Sequence, residues 1–191
     1  MLALLIFVLT AQTMTPPRNA RPPPAPDAGA VTPLELSPDE VHDRIEMYLG
    51  SFERPVTPAM WKRLGPAALP ELEKIARDPQ QFPSRRARAL NGIATIGSLT
   101  APDLMVEMAK DEKQPSTVRI AAMGGVGRLL PNQRVQQELQ PILKNAASPN
   151  VRRTAAEVLA LHGGCSAVRA QAKREQHDAL SKALKTCNET K

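Results

Sequence analysis

Three segments of this chain align without gaps at a spacing of 33 residues: RRARALNGIATIG from Arg85, VRIAAMGGVGRLL from Val118 and VRRTAAEVLALHG from Val151. Each has Arg in the second place of the common frame (Arg86, Arg119, Arg152). A small residue follows at Ala89, Ala122 and Ala155, and a large aliphatic at Ile93, Val126 and Leu159. Apolar residues three to four positions apart are the pattern of an amphipathic helix. A period of this length marks a repeat architecture, in which no unit buries its apolar face alone and stacked neighbours complete the core. Second helices are expected between the segments, over 67–77, 101–110 and 134–146, each forming an antiparallel hairpin with the segment before it.

The rest of the chain agrees with helices. Aromatic residues are only 3% (Phe7, Tyr48, Phe52, Trp61, Phe82), so the core has to be built from Leu, Ile, Val, Ala and Met, a palette that suits helices better than sheets. Ser37-Pro38-Asp39-Glu40 reads as a capping box with Pro at the first helical position. Val41, Ile45, Tyr48 and Leu49 then form one stripe, and Gly50 ends it. Thr57-Pro58 starts a second helix that stops at Gly65.

VRRTAAEVLALHGG, together with LGPAALPELEKIARD from Leu64, resembles HEAT repeats and the related phycobilisome-lyase-type HEAT-like repeats, over about residues 57–164. The resemblance implies an all-α fold, a right-handed α-solenoid of four to five antiparallel helix pairs. It also implies a buried polar ladder in which an Asp near the end of one repeat meets an Arg early in the next. Asp78 and Arg86 stand eight apart, as do Asp111 and Arg119. The position eight before Arg152 is Lys144, so this rung is expected to weaken or to turn to backbone carbonyls. The same three arginines could instead form a phosphate-binding stripe; the structural role is preferred.

Residues 1–14 are read as a signal peptide or short hydrophobic segment, 15–35 as a Pro/Ala-rich disordered linker, 36–187 as the repeat domain and 188–191 as a tail. The run LALLIFVL is too short to span a bilayer, which takes roughly 20 residues, and suits the apolar region of an export signal. No Lys or Arg precedes it, which leaves an uncleaved anchor or a different start open. Cys165 and Cys187 are 22 apart; one continuous helix would separate them by about 33 Å, so a disulfide needs a chain reversal. The polar run from Lys173 to Asp178, with Asp178 as a helix cap, offers one between the stripe of Val168, Ala170 and Ala172 and that of Leu180, Ala183 and Leu184. Free thiols or one redox-active thiol are the alternatives. Pairing in an exported protein gives a periplasmic or secreted location.

Catalytic motifs are not evident. His42, His162 and His177 form no HExxH, and the repeated His-Glu pairs of iron-binding HEAT-like enzymes are missing; the first two read as surface or capping residues. GGVG (Gly124, Gly125, Gly127) lacks the GK[ST] ending of a phosphate loop and reads as a close helix approach, or else a hinge. No cofactor and no metal are expected, and lyase activity does not transfer with the repeat type. The expected function is a non-catalytic scaffold that binds a protein or peptide on a concave surface lined by the second helices, including Glu71, Lys74, Glu107, Gln136 and Gln140. The alternative is a cytosolic nucleic-acid-binding or enzyme-associated subunit that uses Arg153, Arg169, Lys173 and Arg174. A net charge of +6 alone does not argue for nucleic acid, and membrane contact is expected only through an uncleaved N-terminal segment.

Overall fold

The computed structural model describes residues 33–51, 55–175 and 178–189. The signal segment, the linker up to Thr32, His177 and the last two tail residues lie outside them. The described part belongs to the compact unit Val31–Lys191. It is helical, without strands among the described residues: α1 (Pro38–Gly50), α2 (Pro58–Leu64), α3 (Leu69–Arg77), α4 (Pro83–Ile96), α5 (Ala101–Lys110), α6 (Ser116–Leu129), α7 (Asn132–Asn145), α8 (Pro149–Leu161), α9 (Cys165–Ala172) and α10 (Ser181–Glu189), with 3₁₀ turns at Pro66–Ala68 and Asp178–Leu180.

Local signals explain the boundaries. Ser37 forms the full capping box: its hydroxyl accepts from the Glu40 amide, and the Glu40 carboxylate accepts from the Ser37 amide at 2.8 Å. Thr57 caps α2. Gly65 ends α2 with φ of +67°, and a Cβ there would lie 2.9 Å from Pro33, so any other residue would be both strained and crowded. The helix expected from Ala67 opens as a 3₁₀ turn, and α7 starts two residues earlier than its pattern suggests.

The helices pack in pairs, α3 with α4, α5 with α6 and α7 with α8. This corrects the expected hairpins: each repeat segment packs on the helix before it far more than on the helix after it. The arginines of the common frame show why. Arg86 is buried and donates from Nε to the carbonyl of Ala76, at the end of α3, at 2.9 Å. Arg119 does the same to Ala109, at the end of α5, at 3.0 Å. Arg152 reaches the carbonyls of Ala146 and Ala147 after α7, and its Nε meets Glu175 at 2.5 Å. The last carbonyls of a helix lack partners within it and carry the negative end of its dipole, so a guanidinium fits there.

The direct Asp–Arg ladder is therefore corrected as well. Asp78 accepts from the Gln80 amide and the Gln81 side chain, and Asp111 from the Lys113 amide and the Gln114 side chain. Gln114 is the link: its amide group donates to Asp111 at 2.7 Å while its oxygen accepts from Arg86 at 2.6 Å. The rung thus runs between adjacent pairs. Asp111 is held below its ordinary pKa by its bond from Gln114, then by that from the Lys113 amide, with Arg119 a lesser influence.

Between pairs, the even-numbered helices approach closely, α4 on α6 and α6 on α8, whereas α3, α5 and α7 stand further apart. The close side is floored by small residues: Ala89, Ala122 and Ala155 are fully buried. A Cβ on Gly92 would meet Trp61 at 3.0 Å, one on Gly125 would collide with Met105, and one on Gly127 would lie 2.9 Å from Val158. At the C-terminal end α10 packs on α8 and is joined to α9 by the Cys165–Cys187 disulfide, with Cα atoms 5.5 Å apart. Closing a loop of this length stabilises by about 3 kcal/mol. The bond is compatible with an oxidising compartment, and no described helix is long and apolar enough to cross a membrane.

Two neighbouring glycines of α6, Gly124 and Gly125, should separate cleanly in urea unfolding. Gly125→Ala should cost about 1–3 kcal/mol by overpacking. Gly124→Ala, at a position where only the far end of Arg128 comes within 4 Å, should be stabilising by up to about 1 kcal/mol. Equal losses at both would contradict the packing described.

Candidate functional site

The odd-numbered helices present a polar surface held together across their gaps by long side chains. His42 Nδ1 in α1 lies 2.6 Å from Glu71 Oε1 in α3. Arg77 of α3 donates to both oxygens of Glu107 in α5, at 2.7 and 3.0 Å. Lys110 of α5 pairs with Glu138 of α7, and Arg134 of α7 returns to Asp103 of α5 at 2.8 Å. These pairs tie helices that otherwise approach little. Being largely exposed, each contributes little singly.

The residues expected to form a partner surface divide accordingly. Glu71 and Lys74 come together in a groove of about 500 Å³ between α1, α3 and the start of α4, shared with His42, Glu46, Asp78 and Arg85. Its carboxylates are occupied: Glu71 by His42, Glu46 by Arg85 at 2.6 Å, and Asp78 by its own loop. Glu107 is taken by Arg77. Gln136 donates to the His162 carbonyl at 2.7 Å, closing the end of α8, while His162 Nδ1 meets Asn132 Oδ1 at 2.8 Å. Gln140 is exposed beside a cavity of about 190 Å³ between α7 and α9. All five thus stand on the odd-numbered helices, and Glu71, Glu107 and Gln136 are engaged with neighbouring elements of the stack. Of the four cations of the C-terminal third, Arg169 on α9 donates to the Cys187 carbonyl, Lys173 caps the end of α9, Arg174 lines the α7–α9 cavity, and Arg153 lies on α8.

The even-numbered side carries residues that the sequence did not single out. A depression of about 330 Å³ is lined by Tyr48, Pro55, Val56, Trp61, Arg88 and Asn91. Its floor is rigid: the Tyr48 and Trp61 rings meet edge to face, 5.2 Å between centroids, and both are buried. Arg88 is anchored on the Leu49 carbonyl at 2.7 Å. Asn91 accepts at Oδ1 from Arg128 of α6 at 2.7 Å, and Arg128 Nε donates back to the Gly124 carbonyl at 3.3 Å. Arg128 therefore lies along the surface from α6 to the depression, passing beside Gly124, with its guanidinium 3.9 Å from where a Cβ would stand. Burial pulls the Arg128 pKa below the ordinary arginine value. The signal that could have found Asn91 and Arg128 is their place in the repeat frame, on the helix stripe left over once the buried positions are assigned.

Among the described residues no three or more His, Cys, Asp or Glu side chains gather in a way that could hold a metal ion.

The His42–Glu71 pair should be visible in an NMR titration. The hydrogen bond to Glu71, and then its charge, raise the His42 pKa above its ordinary value of about 6.5. The pair's contribution is accordingly full below that ordinary value and lost as pH rises through the raised one. Glu71→Gln should move the His42 midpoint down; an unchanged midpoint would remove the bridge between α1 and α3.

Comparison with protein-family models, curated proteins and solved structures finds no match.

Proposed function

We propose that this chain is an exported HEAT-like α-solenoid that binds an extended segment of a partner protein, without catalysis, on the side formed by its even-numbered helices. The reading rests first on Gly124. It sits inside α6, where glycine costs up to about 1 kcal/mol relative to alanine, and only the far end of the Arg128 side chain, at 3.9 Å, comes within 4 Å of where its Cβ would be. Gly125 and Gly127 have packing reasons; Gly124 has none. A glycine on an outer helix face admits the close approach of another backbone, and here Arg128 leads from it directly to the depression at Asn91.

Helix spacing supports the same side. A stack packed more tightly along one layer curves toward it, so the concave side belongs to α4, α6 and α8 rather than to α3, α5 and α7. The odd-numbered side has most of its ionisable groups engaged in holding helices together. The disulfide supports a periplasmic or secreted location. A rigid floor with a few fixed polar groups suits binding by shape and hydrogen bonds.

Panning short displayed peptides against the oxidised full chain tests this. Peptides should be enriched, and Gly124→Leu, which fills the open position, should weaken them by about tenfold or more, or about 1.4 kcal/mol. Lys74→Ala on the other side should leave them unchanged. Sensitivity to Lys74 but not to Gly124 would move the site to the groove between α1 and α3; no enrichment would sink the binding reading.

A further inference from the structure

Acidic and basic residues are not mixed through this fold. The even-numbered helices carry eleven Lys or Arg against two Asp or Glu, and the odd-numbered helices seven against nine. The excess of positive charge therefore belongs to one layer. α2, α4 and α6 contain no acidic residue, and the two acids of the layer, Glu157 and Glu189, are on α8 and α10, already beside Lys182 and Lys185.

Part of this charge is structural. Arg86 and Arg119 are buried on carbonyls, Arg85 is paired with Glu46, and Arg152 with Glu175. What remains is exposed. Lys62, Arg63, Arg128 and Arg153 have no carboxylate partner among the described residues, and they are spread over α2, α6 and α8. On the opposite layer Glu71, Glu107, Glu138 and Asp103 are each matched by a cation. The opposite layer thus has acidic side chains of its own to set against its cations, whereas α2, α4 and α6 have none.

We infer that the partner segment is acidic: an extended polypeptide with Asp or Glu side chains, laid across the even-numbered helices so that its carboxylates meet Arg128 and Arg153 and its backbone passes over Gly124. The inference rests on the peptide-binding reading above. Charge complementarity supplies the sign of the partner. The depression supplies its class. Asn91 gives Arg128 only its oxygen, which leaves its amide hydrogens for a peptide carbonyl. Tyr48 and Trp61 lie beneath the surface and offer no exposed face to a nucleobase, whereas single-stranded nucleic acid is bound by stacking on such faces.

The peptides enriched by panning give the first reading: they should be rich in Asp and Glu. Fluorescence anisotropy at low salt then compares three probes on the oxidised chain: an Asp/Glu-rich peptide, its Asn/Gln counterpart, and a single-stranded oligonucleotide of equal charge. The acidic peptide should bind, its neutral counterpart should bind at least about tenfold more weakly, and the oligonucleotide more weakly than the acidic peptide. Arg128→Glu with Arg153→Glu should weaken the acidic peptide by about tenfold or more. Lys144→Glu, on α7 of the other layer, should change it by less than about twofold, and circular dichroism of both variants checks that they fold. Equal binding of the neutral peptide, or enrichment of peptides without acidic residues, would overturn the inference and leave peptide binding standing. An oligonucleotide bound as tightly as the acidic peptide would replace the partner class with nucleic acid. If panning enriches nothing and no probe binds, both readings fall together.

Discussion

A buried guanidinium on a helix C-terminus is the contact on which the rest of this structure depends. Arg86 and Arg119 are almost wholly removed from water, which is costly for a charge unless its donors are satisfied. Each is satisfied by a carbonyl that the preceding helix cannot use itself, at Ala76 and Ala109. One bond thus settles two liabilities, an orphaned helix end and a buried charge. It also fixes which helices pair. With α4 tied to the end of α3 and α6 to the end of α5, the small residues of α4, α6 and α8 face one another, and the even-numbered layer can close up on alanine and glycine.

The two layers then differ in kind. The close layer has no room for long side chains between its helices, so its cations project outward or run along the surface, as Arg128 does. The open layer has gaps, and paired long side chains bridge them, as Arg77–Glu107 and Lys110–Glu138 do. A face bridged by ion pairs between its helices and a face whose exposed cations are not used that way follow from one difference in helix spacing. The proposed binding side is the second.

Much of the fold was legible in the sequence for identifiable reasons. Ser37 and Glu40 satisfy backbone donors that any helix start leaves open, Gly65 takes a backbone angle other residues avoid, and the 33-residue period places the buried stripes. Cys165 and Cys187 can meet only if the chain reverses. The phase of the pairs was not legible, because alternating helices read the same whichever neighbour is taken as partner; only the reach of Arg86 back to Ala76 decides it. The expected Asp78–Arg86 contact failed for a similar reason. Asp78 finds donors within its own loop, and the helix end supplies the counter-charge instead. The engagement of Glu107 and Gln136 was not legible either, because both look free along one helix. Their partners, Arg77 and His162, are 30 and 26 residues away, and a search for complementary groups about one repeat apart would have found them.

The measurement that tests the guanidinium contact most directly is urea unfolding of Arg119→Met beside Asp111→Asn. Methionine keeps much of the apolar stem but leaves the Ala109 carbonyl without its donor, and the loss should be about 2 kcal/mol or more. Asp111→Asn, which keeps an acceptor for the Lys113 amide and weakens only the bond from Gln114, should cost less than about 1 kcal/mol. If the aspartate variant loses as much as the arginine variant, a carboxylate ladder holds the pairs together and the helix-end account is wrong.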